Sequence, residues 1–147
     1  MFHFLLQSAT FKKVDYEDMI HAIQNPSAFL IVNTLPIGEQ SVLIKGTLPY
    51  TDEESTINGI IANYTMDQIS IIVYGKNAND ENAEKKCRQI QTLGFNVFLY
   101  GGGLFEWLLL RDIFGDVNFP TIGKPDNFLK YKAPSTISRV VYKSIKY

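Results

Sequence analysis

Short apolar runs alternate along this chain with stretches whose apolar residues recur at helical spacing. Phe29-Leu30-Ile31-Val32 and Ile69-Ser70-Ile71-Ile72-Val73-Tyr74 are β-rich and too short for helices, so both predict strands. The second is apolar on both faces, the pattern of a strand at the centre of a parallel sheet. Asn96 to Tyr100 predicts a further strand, and Ser41 to Ile44 a short one. Asp15 is placed to cap a helix through Asn25, with Met19, Ile20 and Ile23 as its stripe. Asn25-Pro26 ends that helix, because a residue before proline avoids helical angles. A second helix opens on the acidic turn at Thr51 or Asp52 and buries Ile57, Ile60 and Ile61, ending near Tyr64. Asp80 to Leu93 puts Ala83, Cys87 and Ile90 on one stripe, and Gly94 stops it. Gly102 or Gly103 permits a tight entry into the helix Leu104 to Phe114, closed by Gly115. Elements that alternate in this way predict an α/β fold, a parallel sheet flanked by helices.

The last of these helices departs from a simple amphipathic pattern. Leu104-Phe105 and Leu108-Leu109-Leu110 make it apolar nearly all round, so it needs cover on two sides and suggests an interface. Trp107 reads as core. Beyond Pro120 only scattered β-branched and aromatic residues remain. The division that follows is a body of residues 1–118 and a C-terminal basic extension of residues 119–147.

A length of 147 residues suits one domain, and 46% apolar with 20% charged residues are globular values. No apolar run approaches the roughly 18 residues of a membrane span, which argues against a membrane role. Met1-Phe2-His3-Phe4-Leu5-Leu6 lacks the basic start and long apolar stretch of a signal peptide. The single cysteine forbids an internal disulfide and fits the cytoplasm or another reducing compartment. Ile, Asn, Lys and Tyr outnumber Ala, which hints at an AT-rich genome, a protist's or a large virus's; a viral source would place the chain in a particle or infected cell. The formal charge of −1 hides an asymmetry: residues 1–118 carry a net −6 and residues 119–147 a net +5. Such a split points to self-docking or to an acidic partner.

The strand ending at Gly75, the helix after it, and Gly102-Gly103-Leu104-Phe105-Glu106-Trp107 after the next strand together resemble the rhodanese-like family. The resemblance spans roughly residues 14 to 114. It implies a catalytic cysteine at position 75, which here is glycine. It implies an Asp and an Arg after the early strand, where Asn33 and Leu35 stand. It also implies a Gly-His-Ile-x-Gly-Ala stretch, where Val42-Leu43-Ile44-Lys45-Gly46-Thr47 has Leu43 for the histidine.

A sulfurtransferase cysteine must be a thiolate, stabilised by loop N–H groups and a helix N-terminus, with basic residues to hold the anionic substrate. The related phosphatases close the same cradle with an arginine. The loop here reads Gly75, Lys76, Asn77, Ala78, Asn79, Asp80: no Cys, Ser, Thr or Arg, and an acid near the anion site. The chain is therefore read as a catalytically inactive rhodanese-like module, a protein-interaction or structural subunit with no cofactor. A sulfurtransferase or phosphatase relative of non-standard chemistry is the alternative, and a nucleic-acid-associated protein using the basic tail is another. Cys87, on the stripe with Ala83 and Ile90, reads as a buried small hydrophobe rather than a substitute nucleophile. Lys76 reads as solvated and Asp80 as a helix cap, against a residual anion site in the loop. His3 and His21 lack the acidic or thiol neighbours of a metal site. In the tail, Lys130, Tyr131, Lys132, Arg139, Tyr142 and Lys143 interleave cations with aromatics. That pattern fits docking on a protein partner or a second copy first, and nucleic acid second.

Overall fold

The computed structural model describes residues 11–125 and 127–137. Four parallel strands form the central sheet: β1 (Lys12–Val14), β2 (Phe29–Asn33), β4 (Ser70–Tyr74) and β5 (Asn96–Tyr100), in the spatial order β1-β5-β4-β2. The strand that is apolar on both faces thus lies inside the sheet. Two-residue strands β3 (Leu43–Ile44) and β6 (Thr121–Ile122) pair antiparallel in a small second sheet. Among the described residues four α-helices flank the sheets: α1 (Tyr16–Gln24), α2 (Glu53–Ala62), α3 (Glu81–Thr92) and α4 (Gly103–Phe114). This is the rhodanese-like arrangement of a parallel sheet flanked by helices.

Two of the helices begin where an aspartate supplies a partner for free N–H groups, Asp15 at α1 and Asp80 at α3. At α1, Asp15 accepts from Glu17 N at 2.9 Å and Asp18 N at 3.2 Å, and the Asp18 carboxylate returns to Asp15 N at 3.1 Å. That reciprocal box fixes the entry to the helix. Successive strand residues face opposite ways, so the sheet divides the apolar residues into two layers. Ile31, Ile72 and Tyr74 pack with Met19 of α1 and with Leu104, Trp107 and Leu108 of α4. Val32, Ile71 and Val73 pack with Ile57 of α2 and with Ala83, Cys87 and Ile90 of α3.

The structure corrects the division at residue 118. Phe119 is buried, and its ring meets that of Trp107 edge-on with centroids 5.1 Å apart. Trp107 Nε1 donates to the Pro120 carbonyl at 3.1 Å, and Lys45 N donates to the same oxygen at 3.1 Å. Phe128 lies against Phe105 at 6.3 Å, and Tyr131 is only 2% exposed. A boundary after residue 118 would cut through the core. The second cover that α4 requires comes from this segment of the same chain. The physical reason is plain: α4 has too much apolar surface for the sheet alone, and Phe119, Phe128 and Tyr131 cover part of what remains, while Ile113 and Phe114 stay exposed.

Candidate functional site

The site that the sequence singles out is the connection between β4 and α3. Tyr74 closes the strand with its hydroxyl wholly enclosed. It accepts from Ile44 N at 3.1 Å and lies 2.7 Å from Thr47 Oγ1, which itself donates to the Ile44 carbonyl at 2.6 Å. Burial pushes this phenol well above its ordinary range. Gly75 follows, also buried, and the chain turns through Lys76, Asn77, Ala78 and Asn79 to Asp80.

Asp80 decides what this loop can hold. One oxygen, Oδ1, caps α3 by accepting from Asn82 N at 3.0 Å, as a helix-capping acid should. The other, Oδ2, turns back into the loop, where Lys76 N donates to it at 2.9 Å and Thr34 Oγ1 approaches at 3.4 Å. A carbon added at Gly75 would lie 2.5 Å from Asp80 Oδ2 and 2.8 Å from its Cβ and Cγ. The space over Gly75 is therefore filled by a carboxylate of the chain itself.

The loop's remaining groups are equally engaged. Lys76 is not the solvated cation expected: its Nζ pairs with Glu39 Oε1 at 2.8 Å, with the lysine side chain 29% exposed. Leu104 N donates to the Gly75 carbonyl at 2.9 Å and Phe105 N to the Lys76 carbonyl at 3.0 Å. The first amides of α4 are thus turned onto the loop backbone rather than onto open space. Gly103, at φ +69°, allows this approach; a Cβ there would meet Gly75 O at 2.8 Å and Asn77 N at 2.9 Å. Asn77 accepts from Asn79 N at 3.0 Å and donates through Nδ2 to the Tyr131 carbonyl at 2.9 Å. A cavity of about 260 Å³ beside the loop is lined by Gly75, Asp80, Glu84 and Tyr100 among others. Tyr100 donates to Glu106 Oε1 at 2.8 Å, and burial first, then that bond, raise its hydroxyl pKa.

The positions that differ from the rhodanese-like pattern have been absorbed into the packing. Leu35 is buried in the core layer that holds Tyr74. Asn33 is buried too; its Oδ1 accepts from Leu35 N at 3.0 Å, while its Nδ2 has no hydrogen-bond partner among the described residues. Leu43, at the histidine position, is core in β3. Cys87 is fully buried, as its stripe indicates. Burial, then the charge of Glu84, pushes its thiol up to about 12.

Two groups of expected site residues are brought together, and not as the sequence suggested. Tyr131 was expected to meet a partner; its ring is buried and its carbonyl holds Asn77 of the loop. Lys130 and Lys132 are exposed, with Lys130 Nζ 5.3 Å from the Tyr131 ring centre. Arg139, Tyr142 and Lys143 lie outside the described residues, as does His3. His21 is exposed and meets the Phe29 ring edge-on at 5.5 Å. Among the described residues no three His, Cys, Asp or Glu side chains cluster to hold a metal ion, and no helix is long and apolar enough to cross a membrane. The Asp80 plug was missed because only the folded loop shows that its second oxygen turns inward. The readable signal was an acid five residues after the nucleophile position.

No family model matches the chain, and neither does any curated protein. Similar solved structures exist. The BH2092 protein of Bacillus halodurans superposes with a TM-score of 0.55 at 16% identity, covering 95% of this chain and 94% of its own. An As–Sb reductase from Leishmania major gives 0.54 at 13% identity, covering 94% and 100%. The Alr3790 protein of Anabaena gives 0.52 at 22% identity, covering 80% and 97%; a domain of that protein is described as rhodanese-3-like. At these identities the likeness concerns the fold.

Proposed function

We propose that this chain is a catalytically inactive module of rhodanese-like fold that acts through protein contact, as an interaction or structural subunit. The observation that carries this reading is the Asp80 carboxylate, held by Lys76 N over a glycine where the resemblance calls for a cysteine. A nucleophile needs a reacting atom and room for a substrate. Gly75 supplies no atom, and a fixed negative charge stands where an anionic substrate would be bound. The one thiol that the alternative of non-standard chemistry could draw on is Cys87, and it is buried and protonated at neutral pH.

The test is a set of turnover assays on the purified full chain: thiosulfate to cyanide sulfur transfer, p-nitrophenyl phosphate hydrolysis, and thiol-dependent arsenate reduction, the last because the Leishmania reductase shares the fold. Background rates are expected in all three, unchanged in Cys87→Ser. Turnover well above background that disappears in Cys87→Ser would overturn both the inactive reading and the core role of that thiol.

A further inference from the structure

A groove separates α2 from α3 on the face of the sheet opposite α4. It has a volume of about 630 Å³, within the range of roughly 300–1,000 Å³ usual for ligand sites. Ile57 and Ile90 form its apolar floor, and three large apolar side chains stand in water at its rim: Ile37 at 65%, Tyr50 at 45% and Leu93 at 51% exposed. The lining runs along α3 from Asn82 to Leu93, about 16 Å at 1.5 Å per residue. The two walls carry opposite charge. Lys85 and Lys86 stand on α3, Glu53 and Glu54 on α2, and Lys86 reaches Glu53 at 3.0 Å across the gap.

Three properties narrow the occupant. The groove is elongated, which suits a chain segment better than a compact small molecule. Its helical walls have backbones bonded within themselves, and the Leu35 carbonyl beside it is taken by Gln40 Nε2. An extended peptide would find sheet edge here only at Asn33, the last residue of the edge strand β2, whereas a helix satisfies its own N–H and C=O groups internally. Balanced charge on facing walls disfavours a strongly acidic or basic ligand. It suits a segment carrying charges of both signs.

The geometry points to a docking site for an amphipathic helix of a protein partner. Its apolar stripe would lie on Ile37, Tyr50 and Leu93, with an acid facing Lys85 and a base facing Glu54. The inference deepens the interaction role proposed above, and rests on it only for its purpose in the cell.

Selection of a displayed library of amphipathic helical peptides against the immobilised full chain, followed by fluorescence polarisation, tests it. Selected peptides should lose at least about tenfold in affinity for an Ile37→Ser/Leu93→Ser double variant, a loss worth 1.4 kcal/mol per factor of ten. Both side chains are mostly exposed, so an unchanged melting curve checks that the variant is folded. Lys85→Glu should weaken binding and a peptide with its facing acid changed to Lys should recover it. The proposal is overturned if no peptide is enriched above sequence-scrambled controls, or if the double variant binds the selected peptides unchanged. It is also overturned if sedimentation shows self-association lost in the double variant, which would assign the groove to a second copy. Turnover in the sulfur-transfer assay, by contrast, would sink the inactive reading and leave the peptide result standing.

Discussion

Replacing the Gly75 hydrogen by a methyl group forces Asp80 to move, and Asp80 is tied at both carboxylate oxygens. Gly75→Ala should therefore destabilise the fold by about 1–3 kcal/mol, the usual cost of overpacking. Gly75→Cys should do the same without gaining sulfur-transfer activity. In an Asp80→Gly background the Gly75→Ala penalty should shrink in urea melts, because the obstructing carboxylate is gone. Full additivity of the two changes would mean that Asp80 does not fill the space. Cys87 offers a second residue-scale test. Unfolded, its thiol ionises near the ordinary value of about 8.5; in the fold it holds its proton to about 12. Above the unfolded value the unfolded chain loses a proton that the native state keeps. The thiol's contribution is intact below that pH and is lost as pH rises toward 12. Tyr74 and Tyr100 act in the same sense at higher pH. Urea midpoints measured from pH 8 to 10 should fall, and fall less in Cys87→Ala. An equal slope in the variant would mean the thiol is not shielded.

At the scale of elements, the residues that mattered were legible wherever periodicity was strong. Phe29–Asn33 and Asn96–Tyr100 are strands as read, and the Ala83, Cys87, Ile90 stripe is the buried face of α3. The failures share a cause. Lys12–Val14 has two charged residues in three and becomes a strand only by pairing with β5, at an edge where lysines deter further pairing. Thr121–Ile122 is too short to carry a period, and β3 is its partner from 77 residues earlier by the Ile44 and Thr121 register. Such pairings are decided by tertiary packing, not by local pattern. Phe119→Ala should cost about 3–5 kcal/mol, since it empties a packed site against Trp107. Truncation after Asn118 should abolish cooperative unfolding by circular dichroism. A cooperative, native-like transition in the truncated form would return residues 119–131 to the role of a detachable arm.

Across the whole molecule, the charge division that drew attention to the tail is not what fastens its described part. Phe119, Phe128 and Tyr131 are held by burial and by backbone bonds at Pro120 and Tyr131. Exposed ion pairs contribute only about 0–1 kcal/mol and are screened by salt. Stability should thus change by less than about 1 kcal/mol between 0.1 and 1 M sodium chloride, a regime that would strip a charge-docked arm. Marked salt-induced loosening of 119–131, read by hydrogen exchange, would contradict this. The candidate loop was recognisable from Gly75 and the Gly-Gly-x-x-x-Trp run, but its occupation by Asp80 was not, because it depends on which way one carboxylate turns. The groove between α2 and α3 was invisible for another reason: its lining comes from three separated stretches of chain, 33–40, 50–58 and 82–93.

The late position of Phe119 and Tyr131 also bears on how the chain is made. Synthesis delivers the sheet strands and α4 first, so Leu104, Trp107 and Phe105 leave the ribosome before the residues that will cover them. For the interval in which those covering side chains have yet to emerge, the nascent protein presents an apolar helix to the cell, a period in which chaperone capture competes with folding.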